Sequence, residues 1–375
     1  MKKTNFYIAI MLLALTCASC SKGVDKQELN AKGYVSETDD HTYVDDGKRF
    51  VESDKGAYYW KDGLLYYYDL ASDKETILCR NVNCDHTGQS CNALFMDYDE
   101  ALYYYKNSLY MIEMQNTKEK TKCYLTKISE DGSTRTRITE LFERPNTQGI
   151  CYEGAIHRGY FYFAVSPSTY EKKKENSLYR VQIKENAKVE TIASATGYGV
   201  EYDMQGYGTK IYFDETQNTD ANASDYSSRL KTYDITNGKI EECGISDFRR
   251  FLIVDGDVYY NAKDTIWKKN DGKKPEKFYD LGRDVIGNFK YDGNYFYFHI
   301  DNENKTNGKK TNDRTILVID KNGSLVSELK VPRGFELCGG DKERMFFYNY
   351  KDLSKMYLQW TNTFEDGLLK PEELK

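Results

Sequence analysis

A chain of 375 residues is long enough to bury one large core or two ordinary ones. Its 53 basic and 59 acidic residues leave a formal charge of −6, which argues against nucleic acid as a partner, since phosphate contacts need a basic surface. Tyr is abundant (34) and Pro scarce (5), apolar runs are short, and i, i+3, i+4 periodicity is nearly lost beyond residue 20, so the composition excludes a helical fold and predicts an all-β one.

In chain order the first feature is a targeting segment. Lys2 and Lys3 precede the apolar run Phe6–Leu15, which is too short to span a bilayer as a helix. Cys17-Ala18-Ser19-Cys20 follows, with small residues directly before a cysteine. This resembles the lipobox of bacterial lipoproteins, although Cys17 stands where that motif usually has Leu. The resemblance implies cleavage before Cys20 and acylation of its thiol; the alternative is an ordinary secretory signal with an incidental cysteine. We expect a signal peptide over residues 1–19, a hydrophilic tether over 20–33 and one folded domain over 34–375. Such a product is exported and lipid-anchored to a membrane of the bacterial cell envelope, on the extracytoplasmic side.

The folded part repeats one pattern. The aromatic hairpin Phe289–Ile300, turning at Asp292-Gly293, belongs to a unit of four predicted strands: Val285–Tyr291, Tyr295–His299, Thr315–Ile319 and Leu325–Leu329. Similar units begin near Gly47, Glu100, Ile150, Val200, Arg249, Ile286 and Gly334, at intervals of 37 to 53 residues. Four strands repeating at that spacing predict a β-propeller of seven four-stranded blades, with six or eight as alternatives. Asp-Gly and Asn-Gly pairs mark tight turns between strands one and two (Asp255-Gly256) or three and four (Asp131-Gly132, Asn237-Gly238, Asp271-Gly272, Asn322-Gly323). The last unit lacks an obvious fourth strand. We expect Tyr34–Val44 to supply it; the rival, Gly367–Leu374, contains Pro371.

Tyr66-Tyr67-Tyr68-Asp69-Leu70, Leu78-Cys79, Asn83-Cys84-Asp85-His86 and Cys91-Asn92-Ala93, together with the lipobox and the repeats, resemble a bacterial lipoprotein family of unassigned biochemical role, predicted to carry a propeller like that of the low-density-lipoprotein-receptor-related proteins. The resemblance implies fold and location and no reaction. Within it, Cys79, Cys84, His86 and Cys91 form a C-x4-C-x-H-x4-C segment between units one and two. Three thiols and an imidazole match the donors of a structural Cys3His zinc site, although the spacing is not a finger's. In an exported protein a disulfide among the three thiols is equally in order. Cys123, Cys151, Cys243 and Cys338 fall in or beside strands and read as buried small residues.

The longest insertions, Gln115–Thr121, Ser166–Asn176, Glu215–Ser228 and Asp301–Arg314, all separate strands two and three and read as polar loops on one face, shared with the cysteine segment. No nucleophile elbow, HExxH, phosphate loop or GxGxxG is present, and His41, His157 and His299 stand beside no recognisable nucleophile. No residue is singled out as catalytic. The expectation is a non-enzymatic surface module that binds an unidentified protein or glycan. The alternatives are a cell-surface hydrolase of polysaccharide or peptide, which needs a pair of carboxylates with perturbed titration, and an envelope-assembly scaffold.

Overall fold

The aromatic runs fold as short antiparallel strands, and they are nearly continuous rather than alternating because each sheet is covered on both faces. The computed structural model describes residues 26–33, 35, 49–88, 90–95, 101–145, 150–167, 174–218, 226–282, 289–306, 309–360 and 367–374. Unit 1 comprises β1 (Phe50–Glu52), β2 (Gly56–Lys61), β3 (Leu64–Asp69) and β4 (Lys74–Ile77). Unit 2 comprises β5 (Tyr103–Tyr104), β6 (Ser108–Asn116), β7 (Lys120–Ser129) and β8 (Arg135–Pro145). Units 3 and 4 run β9 (Ile150–His157), β10 (Tyr160–Pro167), β11 (Lys174–Gln182), β12 (Glu190–Glu201), then β13 (Met204–Tyr207), β14 (Lys210–Asn218), β15 (Tyr226–Asp234), β16 (Ile240–Ser246). Unit 5 is β17 (Phe251–Val254), β18 (Asp257–Ala262), β19 (Thr265–Lys269) and β20 (Glu276–Asp280). Unit 6 is β21 (Phe289–Tyr291), β22 (Tyr295–Thr306), β23 (Lys309–Asp320) and β24 (Leu325–Val331). Unit 7 holds β25 (Phe335–Gly340), β26 (Arg344–Asn349) and β27 (Asp352–Trp360), followed by β28 (Gly367–Leu368) and β29 (Glu372–Glu373).

The first strands are innermost: β1 touches β5 and β25, and contacts pass from β5 to β9, β13, β17 and β21. Apolar clusters occupy the seams between units. Tyr259 and Phe278 of unit 5 close on Phe296 of unit 6, with ring centroids 4.6 and 5.2 Å apart, and Phe50 of unit 1 meets Phe346 of unit 7 at 4.9 Å. This ring of radially stacked sheets is a β-propeller. The turns fall at the expected pairs, but only at Asp255-Gly256 do both residues take positive φ (53° and 85°), the conformation a two-residue hairpin demands; at Asp131-Gly132, Asn237-Gly238, Asp271-Gly272, Asp292-Gly293 and Asn322-Gly323 only the glycine does.

Three expectations change. Where described, the insertions between strands two and three of units 2, 4 and 6 are paired backbone rather than loops, whereas the ladder of β10 and β11 ends at Ala164 and Leu178. β14 and β15 stay in register out to Asn218 and Tyr226, and β22 and β23 to Thr306 and Lys309. Polar side chains do not prevent this, because ladder hydrogen bonds use the backbone alone. In units 3 and 4, β12 runs long enough to pair with β14 as well as β11, which merges the two units into one eight-stranded sheet.

Second, the fourth strand of unit 7 is β29, from the rival segment: it pairs with the outer edge of β27, the place expected for Tyr34–Val44. Of Tyr34–Val44 only Val35 lies among the described residues. Pro371 is harmless here because it precedes the paired residues. The closure is pinned by a buried cation: Lys61 Nζ donates to Leu374 O at 2.8 Å and pairs with Glu75, which also accepts from Tyr59 Oη at 2.6 Å.

Third, residues 26–33, expected to be tether, are docked. Helix α1 (Lys26–Asn30) places Glu28 on Tyr105 Oη and Lys106 Nζ, each at 2.6 Å. The buried Arg158 guanidinium donates to the carbonyls of Leu29 (3.2 Å), Ala31 (2.5 Å) and Gly33 (2.8 Å). Lys106 and Arg158 sit in the turns between strands one and two of units 2 and 3. The segment therefore lies on the turn face, opposite the hairpin arms.

Replacing Lys61 by Ala leaves the Glu75 carboxylate buried without its cation, so we expect a loss of about 3–5 kcal/mol in urea denaturation. Replacing both residues by Met should recover most of it. A single-variant loss below about 1 kcal/mol would mean the pair does not secure the closure.

Candidate functional site

The connection from β4 to β5 carries the cysteine segment, and it lies along the seam between units 1 and 2. Its ends are held by backbone. Leu78 and Leu65 extend the β3–β4 pairing, Leu65 N donates to Ala93 O at 2.9 Å, and Leu94 bridges Leu64. From unit 2, Arg135 Nη1 donates to Leu94 O at 2.7 Å while its guanidinium lies 3.7 Å from the Phe95 ring centroid. Gly132, in the β7–β8 turn, accepts from Asn92 Nδ2 at 2.9 Å. Phe95 N donates to Gly63 O, in the β2–β3 turn. Because these two turns lie at opposite ends of the strands, the segment straps the flank of the seam; the expected place on the hairpin face needs that correction.

Within the strap, Asn83 (φ 62°) and His86 (φ 60°) take the left-handed conformation, unusual outside glycine, and so reverse the chain twice within four residues. The reversals aim Cys84 and His86 at Cys79 and Cys91. The three Sγ atoms and one imidazole nitrogen lie within 4.8 Å of one another, and His86 Nδ1 is 3.4 Å from Cys91 Sγ. Cys91 is buried and the other three are half-buried. Burial opposes ionisation of Cys79, but backbone N–H groups of Asn81 and Asn92, together with the Cys84 and Cys91 thiols, hold its pKa below the usual thiol value. Cys91 goes the other way, pushed up to about 12 chiefly by burial. All four expected donors thus converge, and the three thiols are unlinked to one another.

The remaining expected residues are dispersed. Cys20 and His41 lie outside the described residues, as does the side chain of Cys151. Cys123 and Cys338 are buried in seam clusters; Cys243 is half-buried, with a thiol pushed up to about 11 by burial. His157 is buried with Nε2 2.8 Å from Gly208 O, a contact between units 3 and 4. His299 is buried in β22, and burial, with the Arg314 cation, pushes its imidazole down to about 3.

One pair was invisible in the sequence. Asp214, in β14, is buried, and its pKa is raised well above the usual range by burial and by the charge of Asp203. Its Oδ1 accepts from Asp203 N at 2.7 Å and its Oδ2 from Thr216 Oγ1 at 3.0 Å; Asp203 in turn pairs with Arg250 of unit 5 at 2.8 Å. Neither aspartate has a motif around it, since only the packing of unit 5 on unit 4 brings residues 203, 214 and 250 together. Every named oxygen here has a protein partner, which suits a clamp between units 4 and 5.

No protein-family model matches the chain, and no curated protein matches it. Among solved structures it is similar to the β-propeller domain of the Trilobed protease from Pyrococcus furiosus, at 10% identity and TM-score 0.48 over 92% of this chain and 98% of that one. It is also similar to TolB from Acinetobacter baumannii, at 10% identity and TM-score 0.37; the chain spans only 61% of that protein and 72% of its own length is covered. A third is Penicillium chrysogenum α-L-arabinanase complexed with arabinobiose, at 10% identity and TM-score 0.39 over 77% and 98%. The likeness is one of fold. At these identities it carries nothing about activity.

Two outcomes test the site's surroundings. Gly132 has φ +70°, and a Cβ there would sit 2.4 Å from Leu78 O. Gly132→Ala should therefore cost at least about 1–2 kcal/mol and speed thiol labelling of Cys79; unchanged labelling would mean the strap is not seated on that turn. For His299, the unfolded imidazole takes up a proton below pH about 6.5 that the folded one refuses until about 3. Stability present above pH 6.5 should fall by up to about 1.4 kcal/mol per pH unit across that window, and a His299→Leu variant should lose this component of the slope. Equal slopes for both proteins would contradict a buried neutral imidazole.

Proposed function

We propose that the protein is an exported, lipid-anchored, non-enzymatic binding module of the bacterial envelope, which offers its hairpin face to a protein or glycan partner. The observation that carries this reading is the unlike construction of the two faces. The turn face is occupied by the chain's own residues 26–33, held by Arg158 and Glu28. Five residues separate Cys20 from Lys26, a reach of about 20 Å at full extension. A lipid on Cys20 would therefore keep the turn face towards the membrane and leave the arms of units 2, 4 and 6 pointing away from it.

Paired arms suit recognition because their backbones are ordered before a ligand arrives, so less entropy is lost on binding. The hydrolase reading needs two carboxylates open to substrate. Asp203 and Asp214 lie within one unit and are engaged by Arg250, Thr216 and a backbone N–H, which supports binding over hydrolysis.

Cys20→Ala should abolish incorporation of labelled palmitate and release the protein from membranes; a membrane-bound, unlabelled variant would refute the anchor. Replacing residues 218–226 by a two-residue turn, which spares Thr216 and the buried Ser228, should weaken capture on a glycan panel or in crosslinked envelope extracts at least about tenfold while leaving Tm within a few degrees. Release of reducing ends or peptides from the same panel would favour the hydrolase instead, and capture of envelope proteins untouched by arm removal would favour a scaffold.

A further inference from the structure

We infer that Cys79, Cys84, His86 and Cys91 hold one zinc ion as a closed structural site that staples the strap across the seam between units 1 and 2. In a tetrahedral centre with Zn–S of about 2.3 Å and Zn–N of about 2.0 Å, the donors stand roughly 3.5–3.8 Å apart. Here all four lie within 4.8 Å of one another, and His86 Nδ1 and Cys91 Sγ are already at 3.4 Å. A contraction of about an ångström completes the geometry. A disulfide would draw two sulfurs to about 2.05 Å and leave the third thiol and the imidazole converging on nothing.

The strap also needs a staple. Its described residues between Cys79 and Cys91 are mostly exposed, and Val82 is 89% exposed, so apolar burial there contributes little to holding it. Left-handed Asn83 and His86 cost backbone energy that a bond to a shared ion offsets. Three soft thiolates with one imidazole select zinc over calcium or magnesium, and four protein donors leave no open position for a substrate. The donors ionise on binding: each Cys S–H loses its proton to solvent, the neutral imidazole contributes its Nδ1 lone pair, and no oxidant is involved. The resulting site has net charge −1. Backbone N–H groups of Asn81 and Asn92 directed at Cys79, and of Ala93 at Cys91, offset that charge.

The test uses the full chain, purified in detergent without a metal-affinity tag from cells supplied with zinc. Native mass spectrometry and elemental analysis should find one zinc per chain, and cobalt exchanged into the site should show the intense visible bands of tetrahedral thiolate coordination. Cys91 is buried and its variants can fail to fold for other reasons. The half-buried donors are therefore varied: His86→Ala and Cys84→Ser should each cut bound zinc by at least about tenfold while the far-ultraviolet spectrum is kept. Cys243→Ser, remote in unit 4, should keep full occupancy. Chelation should lower the Tm of the parent and leave His86→Ala unmoved. A folded chain that takes up no zinc after reduction, one whose mass shows a disulfide among the three cysteines despite zinc supply, or His86→Ala and Cys84→Ser variants that both retain zinc would overturn the site.

Discussion

Everything in this fold depends on seams between sheets that cannot stand alone. Each four-stranded unit presents large apolar side chains on both faces, and only a neighbour on each side can cover them. Tyr58, Trp60, Leu102 and Met111 share one seam, Tyr297, Val318, Leu337 and Phe347 another. A ring satisfies every unit where an open row would leave two faces wet. The final seam, where Phe50, Tyr59 and Tyr68 meet Cys338, Phe346 and Met356, is therefore the one on which the others rely. Its extra fastenings fit that role: Glu52 accepts from Gly340 N at 2.9 Å and pairs with the nearly buried Lys290 of unit 6 at 2.6 Å, while Lys61 holds the carbonyl of Leu374.

Polar groups fasten other seams in the same manner. Gln205 exchanges two hydrogen bonds with the backbone of Ile253, and the imidazole of His157 packs so tightly on Gly206 that any Cβ there would meet it at 2.3 Å. These contacts are short, buried and directional, whereas ring packing is broad and forgiving. Aromatic faces bring the sheets together; the hydrogen bonds set their angle and register.

The seam between units 1 and 2 is fastened differently, by a strap of exposed residues whose four soft donors face inward. The turn face is closed by residues 26–33, and the hairpin face is raised by arms whose backbones pair well beyond the core. One face of the ring is occupied by its own chain and the other is built up into arms, and the binding-module proposal rests on that asymmetry.

The sequence by itself determined the fold class, the unit boundaries and the turns, because these rest on local rules: period-two and continuous apolar runs, and Asp-Gly or Asn-Gly pairs that accept positive φ. It also named Cys79, Cys84, His86 and Cys91, since those donors lie within thirteen residues of chain. What it could not supply is long-range. The arms of Glu215–Ser228 and Asp301–Arg314 read as loops because their side chains are polar, while the pairing that orders them uses the backbone, which is the same at every residue. That β29 pairs with β27 and is held by Lys61, about three hundred residues away in the chain, is a long-range fact of the same kind. Asp203, Asp214 and Arg250, or Glu28, Tyr105 and Arg158, are ordinary charged and polar residues until the ring closes. Only the tertiary structure decided those, because the energy of a buried charge depends on what surrounds it in space and not on its neighbours along the chain.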